Sequence, residues 1–138
     1  MNKDIYYILE VANTHAGNLS YVLNLIDEYS TYKENIGIKF QPLKPNTLAT
    51  PDFEWYKVYQ EISFTENEWH EIISTAYRSK DIWLDIFDLY GVEILQKNLD
   101  KITGIKFQSS VLLNYEVLMA LKEVNTSNLK LIINIAAR

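Results

Sequence analysis

Two lysines stand inside apolar segments that repeat letter for letter. Gly37–Gln41 reads GIKFQ, and the same five letters recur at Gly104–Gln108, so Lys39 and Lys106 occupy equivalent places. An ammonium group buried without a partner is costly, and such lysines are usually paired or shifted in pKa. Two of them together indicate that an anion, a phosphate or a carboxylate, binds between them. Ser109 directly follows the second copy and offers a hydroxyl donor to the same ligand.

The same lysines also have a purely structural interpretation. Either their ammonium groups reach solvent at the strand ends, or they form ion pairs with Glu10 and Asp85. The functional interpretation places the anion at the C-terminal mouth of the strands, where α/β proteins hold their ligands. Residue types alone leave both interpretations open.

A second group of polar residues follows the first apolar run. The segment Glu10–Gly17 reads EVANTHAG and brings an acid, the amide of Asn13 and the imidazole of His15 into one loop. These groups are candidates for contacting a ligand at that mouth. The alternative is that Asn13 and Asn18 are turn and cap residues, and that His15 is a hydrogen-bonded loop residue rather than a base or a ligand.

The composition describes one globular domain over residues 1–138. Hydrophobic residues make up 48% and charged residues 22% of the chain, and the formal net charge is -5. No apolar run approaches the roughly 20 residues of a membrane-spanning helix, and the N-terminus lacks a signal-peptide pattern, so we expect a cytoplasmic protein with no membrane partner. The absence of cysteine excludes disulfides, thiolate zinc sites and thiol catalysis. The acidic balance argues against nucleic acid as a partner.

Apolar runs of strand length alternate with segments of helical period, which is typical of βα units around a parallel sheet. Five strands are predicted, at Ile5–Glu10, Ile36–Gln41, Ile82–Phe87, Ile102–Phe107 and Leu129–Ile135. Four helices are predicted, from Leu19 to about Tyr32, from Thr65 to about Arg78, around Val92–Gln96, and over Val111–Val124. Thr65 and Glu68 form a capping-box motif. Pro42 and Pro45 predict a long loop after the second strand, with room for a short helix over Phe53–Tyr59.

The spacing of the repeat predicts where its two copies lie. They begin 67 residues apart (104 minus 37), which covers two βα units and places them on strands two and four. In a closed parallel barrel, residues from alternate strands share one layer of the interior. We therefore expect a partial (β/α)8 TIM-type barrel of about five parallel strands with four helices, in which Lys39 and Lys106 converge.

Taken in order, these motifs resemble the N-terminal half of the catalytic barrel of sialic acid (N-acetylneuraminate) synthases. The resemblance rests on Glu10–Gly17, Lys39–Gln41, Phe87–Asp88 and Lys106 with Ser109, and it spans nearly the whole chain. Those enzymes are (β/α)8 barrels that condense phosphoenolpyruvate with an N-acetylated amino sugar to form sialic acid or a related nonulosonic acid. The resemblance therefore implies a phosphoenolpyruvate-dependent transferase of carbohydrate biosynthesis.

The resemblance also implies roles for individual residues. Lys39, Lys106 and Ser109 match positions that hold phosphoenolpyruvate, Glu10 matches the catalytic acid near the reacting groups, and Gln41 matches a sugar contact. A divalent metal ion, Mg²⁺ or Mn²⁺, is implied as cofactor. Its histidine ligands come from later strands of the barrel, so no metal ligand is assigned in this chain.

Two positions depart from the family pattern. Leu84–Phe87 stands where the family commonly has Ser-Thr-Pro-Phe, so that Asp85 replaces a hydroxyl, and Asn134 stands where a Ser-Thr-Gly run is usual. A carboxylate at a phosphate site repels the ligand unless it pairs with Lys39 or Lys106. These departures favour an alternative function, a catalytically degenerate half-barrel that acts as an anion-binding or protein-interaction module.

The length of the chain sets a further expectation. A complete barrel needs roughly 250 residues, whereas this chain stops shortly after its fifth predicted strand, at Ala136–Arg138. We therefore expect part of a longer protein that is inactive alone, and the sequence leaves open whether this chain is itself an enzyme. An open sheet exposes its edge strands, and edges invite pairing, so a homo-oligomer is expected.

Overall fold

The computed structural model describes residues 5–32 and 35–135, and a five-stranded parallel sheet is its centre. The strands are β1 (Tyr7–Glu10), β2 (Ile36–Phe40), β3 (Asp81–Ile86), β4 (Ile102–Phe107) and β5 (Lys130–Ile133). The helices are α1 (Leu19–Ser30), α2 (Pro45–Leu48), α3 (Tyr56–Ile62), α4 (Glu66–Tyr77), α5 (Leu89–Lys97) and α6 (Tyr115–Lys122), with 3₁₀ turns at Leu99–Lys101 and Val111–Leu113. The predicted chain end, Ala136–Arg138, lies outside the described residues.

The order of the strands in the sheet is the order in the sequence, from β1 to β5. Each strand pairs in parallel with the next one along the chain. Right-handed crossovers that always step in the same direction place the connecting helices on one face of the sheet. The other face is then the inner face of a barrel, so the predicted partial (β/α) barrel is confirmed.

The helices are more numerous than the four predicted. The connection from β2 to β3 holds three of them, α2, α3 and α4. Pro45 begins α2, at a position where its missing N–H is not needed. The predicted helix over Val111–Val124 is divided into a 3₁₀ turn and α6. Its division lies at Asn114, whose side chain accepts the Val117 N–H at 3.2 Å and caps α6.

Two of the predicted helix starts are confirmed by their caps. The Asn18 carboxamide oxygen accepts the Tyr21 N–H at 3.0 Å at the start of α1. Thr65 and Glu68 form the reciprocal capping box at the start of α4, where the Glu68 carboxylate accepts the Thr65 N–H at 2.7 Å. These caps satisfy backbone donors that the first turn of a helix leaves free.

The outer face of the sheet forms the hydrophobic core with the helices. Central positions of this core are fully buried, among them Ile38, Phe40, Ile72, Ile73, Leu84 and Leu95. On the edge strand β5, by contrast, Leu131 is 54% and Ile133 is 45% exposed. Within the described residues, the outer face is therefore well covered over its central strands and about half exposed at this edge.

On the inner face, the layer of side chains nearer the amino ends of the strands is built around the indole of Trp83. A Cβ atom added at Gly37 would lie 2.8 Å from its Cδ1 atom, and one added at Gly104 would lie 2.4 Å from its Cζ3 atom. The Trp83 ring N–H donates to the Tyr6 hydroxyl at 2.9 Å, and that hydroxyl donates to Asp81 at 2.8 Å. The glycine that opens each copy of the repeat thus makes room for one buried tryptophan.

The sheet curls strongly across this layer. The ammonium nitrogen of Lys130, on β5, lies 5.2 Å from the ring centroid of Tyr6, which directly precedes β1. The two residues approach each other although β1 and β5 are opposite edges of the sheet. Burial raises the pKa of Tyr6 to about 12, so the phenol stays neutral and keeps its donor role. This curvature brings the amino ends of the two edge strands close together on the inner face.

Candidate functional site

Four charged side chains meet on the inner face, near the carboxyl ends of β1 to β4. Glu10 lies opposite Lys39 in the strand register, and Asp85 lies opposite Lys106. The Lys39 ammonium is 3.1 Å from the Glu10 carboxylate and 3.6 Å from that of Asp85, and the Lys106 ammonium is 3.1 Å from Asp85. The predicted convergence of the two lysines is confirmed. We call these residues, with the two glutamines described next, the lysine cluster.

Two glutamines complete the lysine cluster. The Gln41 amide donates to Glu10 at 2.9 Å and to Asp85 at 3.3 Å, and the Gln108 amide donates to Asp85 at 3.0 Å. Asn134 extends the network, because its amide donates to the Gln108 side-chain oxygen at 3.1 Å. Gln108 was not predicted as a site residue, although its place in the repeat, equivalent to that of Gln41, was a signal for it.

The repeat has a direct structural explanation. Side chains alternate between the two faces of a strand, so the glycine, lysine and glutamine of each copy face inward while its isoleucine and phenylalanine enter the core. Because β3 lies between β2 and β4, the two copies flank it from both sides. Their glycines accommodate Trp83, and their lysines and glutamines reach Asp85, two residues further along the same strand.

The charges of the lysine cluster balance one another. Asp85 is fully buried and Lys39 is almost so, and each carboxylate has an ammonium group within contact distance. Burial lowers the pKa of Lys39, and the neighbouring Lys106 lowers it further. Burial also acts to lower the pKa of Lys106, but its hydrogen bond to the Asp85 carboxylate and the negative charge of that group favour the charged form, and the pKa is raised. The interpretation of these lysines as partners of Glu10 and Asp85 is thus confirmed.

Glu10 differs from Asp85 in its access to solvent. Its side chain is 46% exposed, whereas that of Asp85 is completely buried. The Glu10 carboxylate is held by Lys39 and Gln41 on one side and open to solvent on the other. Such a group is positioned to exchange a proton with a bound molecule or to orient a water.

The loop after β1 holds His15 in its interior. The ring is buried, its Nδ1 atom accepts the Gly17 N–H at 3.0 Å, and it stacks on Phe64 with centroids 4.6 Å apart. Burial lowers the pKa of His15 and favours the neutral ring. Its Nε2 atom has no hydrogen-bond partner within residues 5–32 and 35–135. These contacts agree with the interpretation of His15 as a hydrogen-bonded loop residue.

The remaining predicted residues are less closely connected to the lysine cluster. Asn13 is exposed in the β1 loop, where its backbone carbonyl accepts the Ala16 N–H at 3.2 Å. Ser109 is half-buried just beyond β4. Within the described ranges, no side-chain hydrogen bond joins Asn13, Ser109 or His15 to the cluster. Glu10, Lys39, Gln41, Asp85 and Lys106 are joined directly, and Asn134 through one intermediate.

Metal binding finds no support among the side chains that the structure describes. No group of three or more histidine or acidic residues is placed there to hold a metal ion. In the lysine cluster both carboxylates already face ammonium groups, so no ligand of the implied Mg²⁺ or Mn²⁺ is assigned there. In the same part of the chain, no helix is both long enough and apolar enough to cross a membrane.

Comparison with solved structures gives strong similarity in fold at low sequence identity. An N-acetylneuraminic acid (sialic acid) synthetase from Leptospira borgpetersenii serovar Hardjo-bovis, in complex with citrate, superposes with a TM-score of 0.77 at 22% identity. A candidate spore coat polysaccharide biosynthesis protein E from Chromobacterium violaceum ATCC 12472 gives 0.78 at 18%, and spore coat polysaccharide biosynthesis protein spsE from Bacillus subtilis gives 0.66 at 19%. No protein-family model and no curated protein sequence matches the chain.

The matches cover most of this chain but less than half of each solved structure. Each superposition covers 96% of this chain, but only 46%, 41% and 36% of the Leptospira, Chromobacterium and Bacillus proteins, respectively. The chain therefore spans less than half the length of the structures it matches. At this level of identity the likeness shows the fold alone: this chain has the architecture of part of the barrel found in a sialic acid synthetase and in two spore coat polysaccharide biosynthesis proteins.

Proposed function

We propose that this chain is part of an enzyme that condenses phosphoenolpyruvate with an N-acetylated amino sugar to form sialic acid or a related nonulosonic acid. Lys39, Lys106 and Ser109 bind the phosphoenolpyruvate, Glu10 acts next to the reacting carbon, and Gln41 contacts the sugar. The observation that carries the proposal is the convergence of the two repeated lysines on one point at the carboxyl ends of the strands. That end of a parallel barrel is where its enzymes place their active sites.

The electrostatics of the lysine cluster suit this chemistry. Phosphoenolpyruvate carries a phosphate and a carboxylate, and two ammonium groups neutralise negative charge of this kind. Glu10 is accessible enough to manage a proton or orient the water that ends as a hydroxyl of the product. Citrate in the Leptospira synthetase supports the view that proteins of this fold bind small carboxylates. The choice of a sugar as second substrate rests on analogy with the sugar-biosynthesis proteins that share this fold.

Binding of phosphoenolpyruvate to the lysine cluster is the first test. We expect weak binding in calorimetric titration, with a Kd on the order of 1 mM, because the ligand competes with Glu10 and Asp85 for the lysines. Lys39→Ala and Lys106→Ala should each abolish the signal. Lys101→Ala is the matched control, because Lys101 pairs with the exposed Asp100 outside the cluster, and it should bind as the wild type does.

Two outcomes would contradict this proposal. One is the absence of heat at millimolar phosphoenolpyruvate from a protein whose circular dichroism shows it folded. The other is binding that survives both cluster substitutions, since the ligand would then lie elsewhere. Inorganic phosphate in a parallel titration separates recognition of the whole substrate from recognition of its phosphate, and the proposed function requires phosphoenolpyruvate to bind more tightly.

A second candidate function is a module without catalysis that associates through its sheet edges. It is favoured by the pairing of Asp85 with both lysines, which satisfies their charges without a ligand. It is also favoured by the half-exposed outer face of β5, where Leu131 lines a groove of about 310 Å³ with Leu121 and Leu129 of the neighbouring α6 region.

Association through this edge predicts an oligomer. In size-exclusion chromatography with light scattering, we expect the wild-type chain to elute above its 16.1 kDa monomer mass. Leu131→Lys should shift the protein toward the monomer, because a charge on an edge strand disfavours edge pairing. Leu113→Lys is the control, because Leu113 is an apolar residue that is 91% exposed and belongs to the 3₁₀ turn rather than to β5; it should leave the mass unchanged. A monomeric wild type would contradict this expectation.

A further inference from the structure

The donors of the lysine cluster converge on a single oxygen atom. The Oδ2 atom of Asp85 lies 3.1 Å from the Lys106 ammonium, 3.6 Å from that of Lys39, 3.0 Å from the Gln108 amide and 3.3 Å from the Gln41 amide. Each copy of the repeat supplies one lysine and one glutamine to it. The two copies therefore form a cradle of four donors, two of them cationic, around the end of β3.

The carboxylate does not match this cradle. A carboxylate has about four lone-pair sites shared between its two oxygens. Here all four donors crowd around Oδ2, whereas the buried Oδ1 atom has no hydrogen-bond partner in the described part of the chain. An oxyanion with three or four oxygens would distribute the same donors over separate acceptors. Asp85 is thus a small, covalently attached occupant of a site that suits a larger anion.

We propose that this cradle is a binding site for a small oxyanion with three or four oxygens, such as phosphate, that Asp85 keeps occupied, so that Asp85 sets the affinity of the chain for such anions. The inference rests on the proposed function in placing the substrate's phosphate at the lysines, and it adds a residue that limits binding there.

Asp85 limits anion binding because of its negative charge. With Asp85 in place, the two lysines are balanced by two carboxylates, and an incoming anion must displace a side chain that β3 holds fixed. A second negative charge beside an undisplaced Asp85 is repelled. When Asp85 is replaced by serine, the lysines lose that partner, and a hydroxyl that can donate to the anion takes its place.

The test compares Asp85→Ser with the wild type in thermal unfolding and calorimetry with inorganic phosphate. Formate, whose carboxylate has only two oxygens, is the comparison ligand: it should bind more weakly than phosphate, and equally tight binding would overturn the inference. We expect the variant to be less stable without the ligand and to gain melting temperature with millimolar phosphate, while the wild type changes little at equal ionic strength in chloride. The Kd of the variant for phosphate should be at least tenfold lower than that of the wild type.

The matched control is Asp81→Ser. Asp81 lies on the same strand and the same face, but its carboxylate accepts from Tyr6 instead of a lysine. Its replacement removes one negative charge without emptying the cradle, so phosphate should give no added stability. An equal gain in both variants would overturn the inference, because the gain would then come from net charge.

Asp85→Asn is a second variant, which keeps the shape of the side chain and removes its charge. Phosphate affinity unchanged from the wild type in a folded Asp85→Ser or Asp85→Asn protein would overturn the inference. If neither variant folds in phosphate-free buffer, the yield of folded protein on refolding with and without phosphate is measured. Recovery with phosphate and not with chloride is expected, and equal yields would overturn the inference.

The outcomes separate this inference from the proposed function. If Asp85→Ser binds phosphate but neither it nor the wild type binds phosphoenolpyruvate more tightly than phosphate, the cradle is an oxyanion site and the proposed function fails. If the wild type already binds phosphate as tightly as Asp85→Ser, Asp85 does not limit binding and the inference fails, while the proposed function stands.

Discussion

Replacement of Lys39 by methionine is expected to lower the free energy of unfolding by about 3 kcal/mol. Methionine has a similar length but no charge, so the buried Asp85 carboxylate loses one of its two ammonium neighbours and Glu10 loses its ion pair. Removing one partner of a buried ion pair leaves the other charge desolvated and uncompensated, which costs more than the pair itself contributes. Urea unfolding followed by circular dichroism measures the change.

Lys101→Met is the control for this substitution. Its partner Asp100 has a side chain that is 73% exposed, and solvent-exposed ion pairs contribute about 0–1 kcal/mol, so a small change is expected. Lys106→Met should fall between the two, because Lys106 shares Asp85 but is more exposed than Lys39. Equal effects at Lys39 and Lys101 would mean that the lysine cluster is hydrated and that its charges are screened by water.

The features that could be predicted from the sequence are those that depend on local residue patterns. The alternation of strand-length runs and helical periods is enough to predict the parallel sheet, because each βα unit must bury one face of its strand and one stripe of its helix. The identical letters at Lys39 and Lys106, with a spacing of two units, are enough to predict that both side chains face the barrel interior. The capping box at Thr65 is likewise a local signal.

The central place of Asp85 could not be predicted in this way, because it depends on the register between strands. The pairing of β3 with β4 begins with Ile82 opposite Ile102 and shifts by one residue before Trp83. Without that shift, Asp85 would lie opposite Ile105 and not opposite Lys106, and a shift of one residue moves a side chain to a neighbour on the other face. No local pattern specifies such an irregularity.

The same shift sets another unpredicted contact, between Trp83 and the second copy of the repeat. It places Trp83 opposite Gly104, while Lys39 lies opposite Trp83 on the other side of the strand. The role of the glycines is thus tertiary, since each is needed only because a large ring lies over it. One irregularity therefore determines both how Trp83 packs against Gly104 and how Lys106 meets Asp85, whereas Lys39 is positioned by the regular pairing of β2 with β3.

Replacement of Gly104 by alanine tests this packing and is expected to destabilise the protein by about 2 kcal/mol. The new Cβ atom would lie 2.4 Å from the Trp83 ring, closer than packed atoms can approach, so β4 or the indole must move. In a Trp83→Leu background the obstruction is removed, and the same substitution should be nearly neutral. The difference between the two backgrounds, measured as a double-mutant cycle in urea unfolding, is the coupling energy of the pair.

Gly91→Ala is the matched control for this cycle. Gly91 lies within α5, and a Cβ atom there would have its nearest neighbour at an ordinary 3.5 Å, so alanine should stabilise the helix by about 0.5–1 kcal/mol. A glycine-to-alanine change is then favourable where there is space and unfavourable where Trp83 fills it. If Gly104→Ala were as well tolerated as Gly91→Ala in the Trp83 protein, the indole would not lie between the two copies of the repeat, and the positions of the lysines beside it would need to be reconsidered.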